Sequence, residues 1–271
     1  MASSFHAAMN DRYTFARTLA QKAGALALDF WNRREQLVVE LKGPGDFVSV
    51  ADRDVERLIR EELAQSFPDD LFLGEETAAE FAGAFDRCWV VDPIDGTHNF
   101  LRGIPYWNVA IAYVQKSRAQ IGIVFDPSRG ELFHARRGHG AWKESGSDTK
   151  PLKTAATTEL DGAYIAFGHH DRSPEYRYLE IRRRMMDAGV AMRNFGSAAL
   201  QLAHVAAGRL DGFIELELSI WDAIGGLLLV EEAGGHVEPF RPSRATEKVP
   251  CLGCAPGIAA ALVELAGPMQ N

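Results

Sequence analysis

Three stretches of this chain end an apolar run on an acidic residue, and carboxylates gathered in that way can hold hard metal ions or move protons. In Trp89-Val90-Val91-Asp92-Pro93-Ile94-Asp95-Gly96-Thr97 a strand of buried character runs directly onto Asp92. Pro93 fixes its own φ and has no N–H to give a ladder, so the chain must leave the sheet there, and Asp95 can point back toward the space that Asp92 faces. Gly96 permits close backbone approach by a ligand, and Gly96-Thr97 at the start of a short helix would aim N–H groups at an anion. Converging carboxylates repel unless protons or cations separate them, and an all-oxygen donor set suits magnesium better than zinc. Leu71-Phe72-Leu73 likewise leads into Gly74-Glu75-Glu76, and Ile220-Trp221 into Asp222 at the head of an apolar helix. Each segment also has a plainer reading: a turn after a strand for Asp92 and Asp95, a solvated loop for Glu75, a helix N-cap for Asp222.

The elements that must position these acids follow from periodicity. Phe15, Leu19, Ala23, Leu26 and Phe30 recur at three- and four-residue steps, which predicts one long helix over 13–36. Lys42-Gly43-Pro44-Gly45-Asp46 breaks it, and Phe47-Val48-Ser49 leads into a second helix with the stripe Val55, Leu58, Ile59 and Leu63. Asp52 sits near its start, where unpaired N–H groups favour a carboxylate. Apolar, β-favouring runs at 71–73, 88–91, 108–114 and 120–125 predict a sheet. The second half alternates again: helix 197–207, strand 213–216, helix 222–233, and a strand after Gly235. Layered α and β structure is the natural architecture, in one domain over 1–271. The Ser-, Gly-, Lys- and Thr-rich segment 143–153 is the candidate boundary between possible subdomains 1–150 and 151–271.

Bulk properties narrow the function. With 37 acidic residues against 29 Lys and Arg, a formal charge of −8, there is no overall positive field to gather nucleic acid, although a metal can supply local positive charge. A composition 46% hydrophobic can fill a core. No apolar run approaches the ~18 residues needed to span a bilayer, and the first residues lack a signal-peptide core, so a cytoplasmic protein without membrane contact is expected. Cys88, Cys251 and Cys254 are too few for a disulfide framework, and the Cys251/Cys254 pair lacks two further ligands for a structural zinc.

Taken together, Lys42-Gly43-x-x-Asp46-x-Val48-Ser49-x-x-Asp52, Gly74-Glu75-Glu76, Asp92-Pro93-Ile94-Asp95-Gly96-Thr97-His98-Asn99-Phe100 and Trp221-Asp222 resemble the inositol monophosphatase family. Gly196-Ser197-Ala198-Ala199, Gly208-Arg209-Leu210-Asp211 and Ala233-Gly234-Gly235 extend the likeness over roughly 13–255. The resemblance implies an α+β fold, an αβαβα layered sandwich shared with fructose bisphosphatases and usually dimeric. It implies a magnesium-dependent, lithium-sensitive hydrolase of a small phosphate monoester with two or three ions per site. Position by position, Glu75, Asp92 and the carbonyl of Ile94 would hold one Mg2+, while Asp92, Asp95 and Asp222 would hold a second. Thr97, partnered by Asp52, would orient the attacking water, with Glu75 assisting in removal of its proton. Gly96, Thr97 and Lys42 would meet the phosphate, and Asp95, Gly196, Ser197, Ala198 and Glu215 the alcohol portion.

The sequence departs from the family pattern at His98, where a second Thr is common, at Gly225-Gly226, and at Cys254-Ala255. Relatives cleave histidinol phosphate, fructose 1,6-bisphosphate or adenosine 3',5'-bisphosphate, so these are the alternative substrates to inositol monophosphate. A non-catalytic interaction protein on the same fold is the reading from another class. The pair His169-His170 is expected in an exposed loop, since neighbours on a strand point to opposite faces.

Overall fold

The structure, a computed structural model, describes residues 2–36, 39–43, 46–168 and 175–268, with the backbone alone described at 2–6, 39–43, 46–48 and 175. Helix α1 (Ala2–Asn32) is followed by the hairpin β1 (Val39–Gly43) and β2 (Asp46–Ser49), then by α2 (Val50–Ser66). Both helices cover one face of a seven-stranded sheet. Its order is β3 (Leu71–Gly74), β4 (Cys88–Asp95), β5 (Asn108–Gln115), β6 (Arg118–Asp126), β7 (Glu131–Arg136), β8 (Ala141–Ser145) and β9 (Asp148–Pro151), with α3 (Thr97–Arg102) between β4 and β5. β3 and β4 run parallel and the other neighbours antiparallel.

A second sheet places β11 (Ala191–Arg193), β10 (Tyr164–Phe167), β12 (Gly212–Leu218), β14 (Val249–Cys254) and β13 (His236–Val237) side by side. Between the sheets lie α5 (Ala198–Ala206) and α6 (Ile220–Glu232), while α4 (Glu175–Asp187) and α7 (Ala259–Ala266) pack on the far face. The outcome is the α+β, αβαβα sandwich that the resemblance implies.

Local chemistry explains the layers. On α1, Ala16, Ala20, Ala23 and Ala27 form a buried stripe of small side chains, which lets the helix lie close on the sheet. On β5, Val109, Ile111 and Tyr113 join the α1–α2 core, whereas Ala110 and Ala112 face the opposite side. There α6 comes so near β6 that a Cβ at Gly122 would collide with the carbonyl of Gly225. This close approach fixes how deep the first turn of α6 reaches.

Two expectations need correction. The first helix begins at Ala2 rather than near Tyr13, running through Asn10 and Asp11, which resemble cap residues. Segment 143–153, read as a loop at a subdomain boundary, is most of the β8–β9 hairpin at the sheet edge, and the passage between sheets runs over 152–163. Cys251 and Cys254 are both buried in β14 and face opposite cores, one toward α5 and α6, the other toward α4 and α7.

One ion cluster ties the layers together. Glu131 on β7 accepts two N–H groups of Arg209 at 2.6 Å each and Lys143 Nζ at 2.7 Å, and Arg209 in particular holds its carboxyl down to about 2. A carboxyl lowered on folding contributes stability above its unfolded pKa, and that contribution is lost as pH falls from about 4.5 toward 2. Glu131→Gln should therefore cost about 2 kcal/mol at neutral pH, read from urea unfolding, with the gap to the parent protein narrowing at pH 3. An undiminished gap at pH 3 would contradict the ionic account.

Candidate active site

Asp92 and Asp95 lie three apart on β4, where a regular strand would send them to opposite faces. Pairing with β5 slips between them: Asp92 stands opposite Ala110 but Asp95 opposite Asn108, so β4 carries one extra residue around Pro93. This bulge turns both carboxylates to one side. Parallel pairing of β3 with β4 sets Gly74 opposite Val91, and the Glu75 N–H donates to the Val91 carbonyl at 3.1 Å. Glu75 thus leaves its strand at the same end of the sheet as Asp92. Asp222 arrives from the first turn of α6, where its Oδ2 accepts the Ser219 N–H at 3.3 Å. Its capping role and its place among the acids coexist.

One carboxylate oxygen from each of Asp92, Asp95 and Asp222 lies within 4.8 Å of the others. Burial drives Asp92 well above the usual carboxylate range, and repulsion from Glu75, Asp95 and Asp222 adds to it. Burial and Asp95 push Asp222 up to about 7. Asp95 is raised by burial as well, but less freely, because it is richly hydrogen-bonded. Its Oδ2 accepts from Asn108 Nδ2 (2.7 Å), Ser197 Oγ (2.7 Å) and the Ala199 N–H (2.8 Å), and its Oδ1 from the Ala198 N–H (3.1 Å). Asp92 differs: Oδ1 accepts the Ile94 N–H at 2.9 Å, while the buried Oδ2 has no donor among the described residues. The Asp222 carboxylate within its reach is another acceptor unless a proton sits between the two. Oxygen donors, clustered negative charge and an unsatisfied buried oxygen together fit a hard divalent cation.

Beside this cluster the Thr97 hydroxyl lies 3.4 Å from Asp52 Oδ1 and 3.0 Å from the Ile94 carbonyl. Asp52 is itself fixed at the third position of α2, its Oδ2 accepting the N–H and hydroxyl of Ser49 at 2.8 and 2.7 Å. Gly96, the N-cap of α3, adopts φ +95°, which favours glycine, and a Cβ there would crowd Ser197 and the Tyr106 carbonyl.

The inositol monophosphatase family model matches residues 8–266. The chain belongs to that family. It is 44% identical to the inositol-1-monophosphatase of Rhizobium meliloti over 218 residues, 79% of this chain and 80% of the relative. It is 37% identical to the Nus factor SuhB of Escherichia coli over 234 residues, 86% of each. In structure it is similar to the extragenic suppressor protein SuhB of Bartonella henselae, with a TM-score of 0.83, 35% identity, and coverage of 93% of this chain and 97% of that one.

Within this family frame the departures have local explanations. Gly225-Gly226 sits where α6 meets β6 and α5, and a Cβ at Gly226 would strike Leu202. Cys254 is core, packed with Leu252 and Leu262. His98 is exposed on α3. The Ser197 hydroxyl and the Ala198 N–H donate to Asp95. Glu215 lies beside Gly168, where a Cβ would collide with its carboxyl, and desolvation, then Asp222 and Asp95, push it up to about 8. The side chain of Lys42 and the pair His169-His170 lie outside the described residues.

Sequence reasoning missed two asparagines. Asn108 joins Asp95 to Ser197 at 2.7 and 2.9 Å, and Asn99 Nδ2 donates to the carbonyls of Tyr106 and Phe195 at 2.8 and 2.6 Å. Both are polar residues at the edge of apolar runs, a signal too common to single them out. A groove of about 810 Å³ elsewhere, lined by Val114, Leu227 and Phe240 together with Arg118, Arg137 and Glu231, contains none of the clustered acids.

Proposed function

We propose that the chain is a magnesium-dependent phosphomonoesterase that hydrolyses inositol monophosphate to inositol and phosphate. The observation that carries this reading is the convergence of Asp92, Asp95 and Asp222 around a buried Asp92 oxygen with no donor, next to the Thr97–Asp52 pair. Glu75, Asp92 and the Ile94 carbonyl would hold one Mg2+, and Asp92, Asp95 and Asp222 another. Magnesium held there supplies Lewis-acid chemistry, polarising phosphoryl oxygens and acidifying water.

The chain's own groups do the positioning. With its proton directed to Asp52, the Thr97 oxygen keeps a lone pair free to accept from a water and orient it toward phosphorus. Glu75 would assist in taking up the proton that water loses. The N–H groups of Gly96 and Thr97 face phosphoryl oxygens, and Lys42 adds positive charge. Asp95, Gly196, Ser197, Ala198 and Glu215 would surround the alcohol, and a glutamic acid held neutral can both donate to and accept from a polyol. Lithium inhibition, a cytoplasmic location and a homodimer belong to the same reading.

Purified protein should release phosphate from inositol 1-phosphate only when Mg2+ is added. A panel with histidinol phosphate, fructose 1,6-bisphosphate and adenosine 3',5'-bisphosphate, compared by kcat/KM, decides the alcohol. Preference for any of these over inositol 1-phosphate overturns the substrate assignment while leaving the chemistry. The name of the E. coli relative favours a second reading, that this chain also serves as a Nus factor. Partner capture that survives in Asp92→Asn would separate such a role from hydrolysis.

A further inference from the structure

Glu56 is a buried acid that the scheme above leaves unused, one helical turn beyond Asp52 on the same face of α2. At 3% exposure a carboxylate without partners would be costly, and this one is well supplied. Its Oε2 accepts the Glu76 N–H at 2.8 Å, and its Oε1 accepts the Thr77 hydroxyl at 2.8 Å and an Arg60 N–H at 3.3 Å. Arg60 also donates to Thr77 Oγ1, closing a ring of three side chains. Gly74 backs the carboxyl, since a Cβ there would collide with both of its oxygens. Apart from Arg60 on its own helix, every one of these contacts falls on a residue flanking Glu75.

We infer that Glu56 is a positioning residue that fixes segment 74–77 and so holds the Glu75 carboxylate beside Asp92. The inference rests on the proposed role of Glu75 as a magnesium ligand. Helix α2 then carries two supports one turn apart: Asp52 reaches Thr97, and Glu56 clamps the turn bearing Glu75. A single rigid element thereby sets the spacing between the group that orients water and a group that holds metal. A glutamine at position 56 has one acceptor oxygen in place of two. It keeps either Thr77 or Glu76 and turns an NH2 group toward the other donor.

The test is Mg2+ titration into metal-free protein by isothermal calorimetry, with phosphate release followed across Mg2+ concentrations. Glu56→Gln should weaken Mg2+ binding about tenfold, with kcat recovered to within about threefold once Mg2+ is saturating, as expected when ligand support rather than a ligand is lost. Gly74→Ala, which displaces the same carboxyl, and Thr77→Val, which removes one of its donors, should shift Mg2+ binding in the same direction and give the check if Glu56→Gln folds poorly. Rescue by excess Mg2+ is the readout that general damage to the fold would not produce. Parental Mg2+ affinity in all three variants, or a rate loss that saturating Mg2+ leaves in place, overturns the inference. Glu75→Gln in the same titration keeps the two claims apart. Parental affinity there removes Glu75 as a ligand and the inference with it, whereas weakened binding in Glu75→Gln but not in the other variants removes the inference alone.

Discussion

Asp92→Asn is expected to lower kcat/KM by at least about 10³-fold and, in the same protein, to raise the melting temperature of the metal-free form at pH 8. The two effects have one cause. Asp92 is buried and repelled by Glu75, Asp95 and Asp222, with the Ile94 N–H as its donor among the described residues, so its charge is opposed when no cation is present. An amide keeps the shape, removes that charge, and gives Asp222 a donor in place of a second acceptor. The gain should be about 1–3 kcal/mol, or roughly 3–8 °C in Tm for a chain of this size. Differential scanning calorimetry in chelator tests it. Because burial and repulsion raise Asp92 above the ordinary carboxylate range, the stabilisation should shrink as pH falls from 8 toward 4. A variant that is less stable than the parent at pH 8 would show that the acids are not strained against one another.

The metal-free parent protein should lose stability as pH rises from about 4 to about 8, and Mg2+ should reverse the loss. Asp92, Asp222 and Glu215 all have folded-state values above the ordinary carboxylate range, with Asp222 at about 7 and Glu215 at about 8. Between the unfolded values near 4 and these folded ones, the native state binds more protons than the unfolded chain. The derivative of unfolding free energy with pH is then negative, so stability present below pH 4 declines upward through the folded values. A decline on the order of 3 kcal/mol is expected, seen as a Tm about 5–10 °C lower at pH 8 than at pH 5 in chelator. Bound cation replaces the lost protons. At a Mg2+ concentration of about 100 times Kd it should restore roughly 2.7 kcal/mol. A metal-free Tm that is flat or rises between pH 5 and 8 would contradict this.

Much of this arrangement is legible before any coordinates, and the reasons are local. The stripes of α2 and α6, and the apolar runs that end on Asp92 and Glu75, need only neighbours in sequence to be read. Asp52 at the head of α2 and its tie to Thr97 follow from capping chemistry together with the family resemblance. What escapes depends on distant partners. The extra residue in β4 that turns Asp95 toward Asp92 is defined only by its pairing with β5. Asn108 and Glu56 matter because of what stands opposite them. The β8–β9 hairpin reads as a loop because β9 is a sheet edge exposed along its whole length, with no apolar alternation to mark it. The bond from the Ser197 hydroxyl to Asp95 joins residues 102 apart in sequence.

The most direct measurement is anomalous diffraction from a crystal of this protein grown or soaked with Mn2+ in place of Mg2+. The account predicts a difference peak in contact with carboxylate oxygens of Asp92, Asp95 and Asp222, lost in a crystal of Asp92→Asn. Manganese bound elsewhere with that pocket empty, or a peak undiminished in the variant, would contradict it.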